Sequence, residues 1–160
     1  MTDAAPFNYR DGDSDCHGFI YRPDSVASSH PVVLVCPAWD GLVQEVHDKA
    51  NKLSAEGYIA IGVVVRGGGQ TLVDVADLQP ALDPFLSDRA MLLQRLQAAV
   101  TAARDIEGAD SSRLGVVGYC FGGLCALDLA RSGSGIRAAV SLHGGLTTNG
   151  LGDIPIEAHV

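Results

Sequence analysis

Two apolar patterns alternate along the chain. One is the short unbroken run, found at 31–36, 58–65, 113–117 and 136–142. Runs of this length without polar alternation predict strands buried on both faces of a sheet. The other is the stripe. Val43, Val46, Ala50 and Leu53 recur at three- and four-residue spacing. So do Leu92, Leu96, Ala99, Ala103 and Ile106, which predicts a long helix from near Ser87 to near Gly108. Residues 124–131 read as a further, buried helix, and Gly57 ends the first one. Ahead of the first run, 7–10 and 17–22 flank Asp11-Gly12-Asp13-Ser14, a turn by composition, and predict a hairpin. Residues 71–84 hold Pro80 and Pro84 without a clear period and predict a loop. Residues 157–160 read as the opening of another strand.

Strands alternating with helices define an α/β class: a mostly parallel sheet with helices on both faces, in one domain over 1–160. Sites in such sheets lie at the carboxyl ends of the strands. Trp39, Arg66, Cys120 and His143 fall there. One stretch stands out, Gly118-Tyr119-Cys120-Phe121-Gly122-Gly123, between an apolar strand and a buried helix. Glycine, any residue, nucleophile, any residue, glycine is the spacing of a nucleophile elbow, with cysteine in place of serine. The bend is sharp enough that a Cβ on either flanking glycine would clash. It lifts the thiol above the sheet and points it at the positive end of a helix, which favours the reactive thiolate.

Composition narrows the partners. The chain is 47% hydrophobic and 19% charged, an ordinary globular balance, with a net charge of -8. So acidic a surface argues against nucleic acid and anionic membranes as partners. No apolar run has the length of a membrane span, and residues 1–6 lack the basic and apolar regions of a secretory signal, so a cytoplasmic home is expected. The four cysteines form no C-x-x-C pair, which predicts neither structural metal nor disulfides. Cys36 and Cys125 sit in apolar runs as small hydrophobes, and Cys16 lies in a polar turn. Gly67-Gly68-Gly69 lacks the lysine of a phosphate loop and reads as a flexible turn.

These residues resemble the dienelactone hydrolase family of the α/β-hydrolase fold. The elbow matches that family's G-x-C-x-G-G. Asp40-Gly41-Leu42, Ala55-Glu56-Gly57-Tyr58 and His143-Gly144 support the match across nearly the whole chain. The resemblance implies hydrolysis of a small-molecule ester or lactone by a Cys-His-Asp triad, without metal or organic cofactor. Cys120 would be the nucleophile. The backbone N–H groups of Phe121 and Trp39 would form the oxyanion hole. Asp40, Arg66 and His143 would line the pocket, with a makeshift base as a second role for His143. Arg66 and Arg89 are candidates to hold a substrate carboxylate; Arg89 and Arg95 equally suit a solvated helix face.

Two departures from the family pattern matter. Its glutamate beside the oxyanion residue is matched by Ala38, with Asp40 the nearest carboxylate. The triad acid and histidine follow the elbow in this fold's order, at positions beyond Val160. The resemblance is therefore to an amino-terminal portion, inactive alone. The alternatives are an incomplete domain completed by another chain, or a non-enzymatic remnant. The sheet edge at 136–142 would be left uncovered, or covered only by a frayed strand, which invites self-association.

Overall fold

In the computed structural model, which describes residues 3–25, 27–69, 71, 72, 74–147 and 156–160, six strands form one sheet. β1 (Ala5–Asp11) and β2 (Ser14–Tyr21) are the expected hairpin, turning through Gly12. β3 (His30–Cys36) leads into helix α1 (Gln44–Ala55), and α1 into β4 (Ile59–Gly62). Helices α2 (Val75–Ser87) and α3 (Arg89–Arg104) follow. Then come β5 (Ala109–Tyr119), α4 (Phe121–Arg131) and β6 (Ala138–Leu142). The order across the sheet is β1-β2-β4-β3-β5-β6. β3, β4, β5 and β6 run parallel, and the hairpin is joined antiparallel through β2 and β4.

Alternate residues of the central strands serve different layers. Val32 and Leu34 of β3 and Leu114 and Val116 of β5 are at most 2% exposed and join the cluster formed by α3 and α4. Val35 and Ala60 turn the other way and pack with Phe19 under Val46 and Ala50 of α1. This two-sided burial is why the strands read as unbroken apolar runs.

Four expectations need correction. The stretch read as a loop at 71–84 contains most of α2. Asp74 caps it by accepting the Ala76 N–H at 2.9 Å, and Leu78, Leu82 and Phe85 bury one face at helical spacing. Pro80 and Pro84 are both exposed; the helix forgoes their two backbone bonds, and the buried stripe outweighs the loss. β4 is shorter than the run at 58–65, because β3 stops before Pro37 and the ladder closes with the Val63 N–H on the Val35 carbonyl at 3.0 Å. Val63, Val64 and Val65 are buried without being strand. The edge at 136–142 is mixed: Ile136 and Ala139 are buried, whereas Val140 and Leu142 are 49% and 39% exposed. At 157–160 the contact is a single parallel bridge, from His159 to Ala138.

The fourth correction concerns two arginines. Neither Arg89 nor Arg95 lies on a solvated face. Arg89 donates to both carboxylate oxygens of the fully buried Asp128, tying α3 to α4, and reaches the Thr147 carbonyl at 3.3 Å. That pairing also occupies the guanidinium suggested for a substrate carboxylate. Arg95 holds Asp11 at 2.7 Å and the Val65 carbonyl at 2.9 Å, fastening the hairpin to α3. Among the described residues, no helix is long and apolar enough to cross a membrane.

Candidate active site

Cys120 lies at the bend between β5 and α4. Its backbone is at φ 52°, ψ -115°, in the region that L-residues rarely adopt. The geometry around it accounts for the glycines. A Cβ on Gly118 would lie 1.9 Å from the Gly122 carbonyl oxygen. One on Gly122 would lie 2.1 Å from the Cys36 carbonyl oxygen. Strand, helix and the end of β3 thus approach more closely than any side chain permits. The bend is held from below: the Cys120 N–H donates to the Leu142 carbonyl at 3.0 Å, and the Cys120 carbonyl accepts from Gly123 at 3.0 Å.

Of the four thiols, that of Cys120 belongs to a partly exposed residue, and the other three are buried. Burial pushes the Cys36 thiol up to about 12 and drives Cys125 well above the ordinary range. Cys16 is also raised by burial, although Arg95 opposes the shift. It is not in a polar turn of no consequence: it pairs across the hairpin with Tyr9 and is fully enclosed. Tyr9 donates its hydroxyl to the Val64 carbonyl.

The loop after β3 brings the other expected residues alongside. Trp39 and Phe121 border one small cavity of about 20 Å³ with Arg66, Leu42 and Leu82. Trp39 is 46% exposed. The N–H groups of Trp39 and Phe121 make no backbone hydrogen bond among the described residues. Arg66 donates to the Asp40 carbonyl at 3.2 Å, and burial lowers its pKa against the pull of the Asp40 charge. One Asp40 carboxylate oxygen is buried without a hydrogen bond among the described residues. His143 directly follows β6 and is exposed, with φ 46°. The Cys120 N–H is taken by the Leu142 carbonyl, one residue before His143. The residues that sequence reasoning missed are the braces, Leu142 and the Arg89–Asp128 pair. Arg89 lies on the stripe of Leu92 and Leu96, three and seven residues on, which was the available signal.

A parallel sheet flanked by helices, with a strained cysteine on the turn into a helix, defines an α/β-hydrolase-type protein. The sequence model of the dienelactone hydrolase family matches residues 16–158, and the chain belongs to that family. A candidate carboxymethylenebutenolidase of Yersinia pestis is 28% identical over 131 residues, 80% of this chain and 48% of that protein. A candidate 2-oxo-3-(5-oxofuran-2-ylidene)propanoate lactonase of a Bradyrhizobium species is 31% identical over 128 residues, 79% of this chain and 50% of that one. Among solved structures, a dienelactone hydrolase-like promiscuous phosphotriesterase from metagenomic libraries superposes with a TM-score of 0.86 at 32% identity, covering 91% of this chain and 60% of that one. The chain thus spans about half the length of the curated relatives it matches.

Proposed function

We propose that the protein hydrolyses small-molecule carboxylic esters or lactones through Cys120. The observation that carries this reading is the left-handed, partly exposed Cys120 at the amino terminus of α4. The family and the names of its relatives support the substrate class.

The Cys120 sulfur attacks the carbonyl carbon, and the π electrons move to oxygen. The N–H groups of Phe121 and Trp39 stabilise that oxyanion. It collapses to an acyl-thioester as the C–O bond breaks, and the leaving alkoxide takes up the proton that the Cys120 thiol gave up. Water then attacks the thioester and the acid departs, returning the thiol. His143, Asp40 and Arg66 line the approach. The second half-reaction needs a base to deprotonate water, and among the described residues none is hydrogen-bonded to the Cys120 side chain. Without such a base, deacylation is the slow step in this chain.

Mixing the chain with p-nitrophenyl acetate tests this. The expected result is one nitrophenolate released per chain, an acetyl group on Cys120 by peptide mass, and slow release thereafter. Acetylation at Cys16, Cys36 or Cys125 instead, or an unchanged burst in Cys120→Ala, would overturn the nucleophile. No acyl transfer at all would favour a non-enzymatic remnant.

A further inference from the structure

The turn that carries Trp39 is held more by hydrogen bonds than by packing, since its indole is 46% exposed. The Gly41 N–H closes the turn on the Ala38 carbonyl at 3.3 Å. The Asp40 carbonyl then accepts twice, from the Arg66 guanidinium at 3.2 Å and from the Leu72 N–H at 3.1 Å. Both donors lie on the connection between β4 and α2. The amino-terminal side of the turn is wedged already, because the carbonyls of Cys36 and Pro37 crowd Gly122 of α4. The doubly held Asp40 carbonyl fixes the other side.

Arg66 can grip that carbonyl because its own backbone is anchored. The Tyr9 hydroxyl of β1 donates to the Val64 carbonyl, and the Arg95 guanidinium of α3 donates to the Val65 carbonyl at 2.9 Å. The two residues before Arg66 are thereby tied to the hairpin and to α3. On its other side, a Cβ on Gly69 would lie 2.4 Å from the His17 carbonyl oxygen, so the glycine turn after Arg66 rests directly on β2. The Asp40 charge also faces the guanidinium, opposing the downward pull that burial exerts on its pKa. A guanidinium with its backbone anchored and its head on a backbone carbonyl serves as a strut. Its bond is charge-assisted, roughly twice as strong as one between neutral groups.

We propose that Arg66 is a positioning residue for the reaction at Cys120, aiming the Trp39 N–H at the developing oxyanion by holding the Asp40 carbonyl two peptide planes along. The role rests on the hydrolytic reading above. It differs from the carboxylate-holding role that the sequence suggests for Arg66. Peptide planes are rigid, so a fixed carbonyl limits where the nearby amide can point. An oxyanion donor displaced by about 1 Å loses most of its effect. A residue that holds the substrate's carboxylate discriminates between charged and neutral esters, whereas a strut acts on every acyl group alike.

Two esters and an alkylating agent separate the roles. p-Nitrophenyl acetate is neutral, and p-nitrophenyl succinate carries a carboxylate. Iodoacetamide alkylates a thiolate by displacing iodide, a step that forms no oxyanion. In the 160-residue chain, the initial release of nitrophenolate reads acylation, and peptide mass reads the site of each adduct. Arg66→Met is expected to slow acylation by both esters equally, about thirtyfold, and to leave alkylation of Cys120 unchanged. A loss more than about threefold greater for the succinate would make Arg66 a holder of substrate carboxylates and overturn the proposal. So would an equal slowing of alkylation, which would mean lost access to the thiol. Alkylation spreading to Cys36 and Cys125, both buried in the parent, would mean that Arg66 holds the core rather than the turn, and also overturns it. A parent chain that takes up iodoacetamide but no acetyl group at Cys120 sinks the hydrolytic reading and this role with it. A variant acylated as fast as the parent sinks the role alone.

Discussion

The backbone N–H of Cys120 is hydrogen-bonded to the carbonyl of Leu142 at 3.0 Å. The amide of the candidate nucleophile is therefore spent on the neighbouring strand. That bond ties the bend to β6, whose own register to β5 runs from Gly115↔Ala138 to Tyr119↔Leu142. The N–H groups of Trp39 and Phe121, by contrast, make no backbone hydrogen bond among the described residues, which suits the oxyanion role proposed for them.

The close approaches predict a sharp ranking of glycine substitutions. Gly118→Ala places a methyl group on the backbone of Gly122, where neither side can yield. Gly133 has a left-handed φ, 67°, and nothing lies within 4 Å of its added Cβ. Urea denaturation should show Gly133→Ala costing about 1 kcal/mol. Gly118→Ala should cost about 3 kcal/mol or leave the chain unfolded. Equal losses would mean that the close approach at Gly118 is relieved by small backbone shifts.

The Arg89–Asp128 pair predicts strong coupling between α3 and α4. Arg89→Met leaves the fully buried Asp128 carboxylate with the Arg131 guanidinium at 3.6 Å and without its two short bonds, at a cost of about 3 kcal/mol. Replacing both, Arg89→Met with Asp128→Leu, should cost markedly less than the two single losses summed. Additive losses in a double-mutant cycle would refute the coupling.

Acid should loosen the hairpin. Burial raises the Asp11 pKa, but the Arg95 and Gln94 hydrogen bonds and the Arg95 charge outweigh it, so the net shift is downward. A carboxyl lowered on folding stabilises fully above its unfolded pKa, near ~4, and loses that contribution as pH falls through the folded value. Stability followed from pH 5 to pH 2 should fall more steeply in the parent than in Asp11→Asn.

His47 acts in a different window. It stacks on Phe19 at 3.7 Å and meets the Tyr21 hydroxyl at 3.2 Å. Burial lowers its pKa, with Asp48 opposing. The folded state therefore binds the proton less well than the unfolded state. Its contribution is complete above pH ~6.5 and declines as pH drops below that value. His47→Gln should flatten the stability curve between about pH 7 and pH 5.

The sequence made the chemistry-bearing bend legible because its spacing is fixed and local. Gly118 is dictated by the nearby backbone of Gly122, Gly122 by the Cys36 carbonyl at the end of β3, and the apolar runs by burial on both faces. What it concealed depends on distant partners. α2 was hidden because Pro80 and Pro84 signal a break, while the pull of Leu78, Leu82 and Phe85 toward the core acts through tertiary burial. Arg89 and Arg95 looked solvated because Asp128 and Asp11 lie 39 and 84 residues away. The polar start of β5, Asp110-Ser111-Ser112, carries no strand pattern, yet the strand begins at Ala109.

The crowding at Gly122 bears on selectivity. The carbonyls of Cys36 and Pro37 fill the space that a side chain there would take, so the segment leading to Trp39 is wedged against the first turn of α4. Neither can swing away from the other. On the proposed hydrolytic reading, a bulky acyl group meets a fixed inner wall and is expected to spread outward across the half-exposed Trp39 indole.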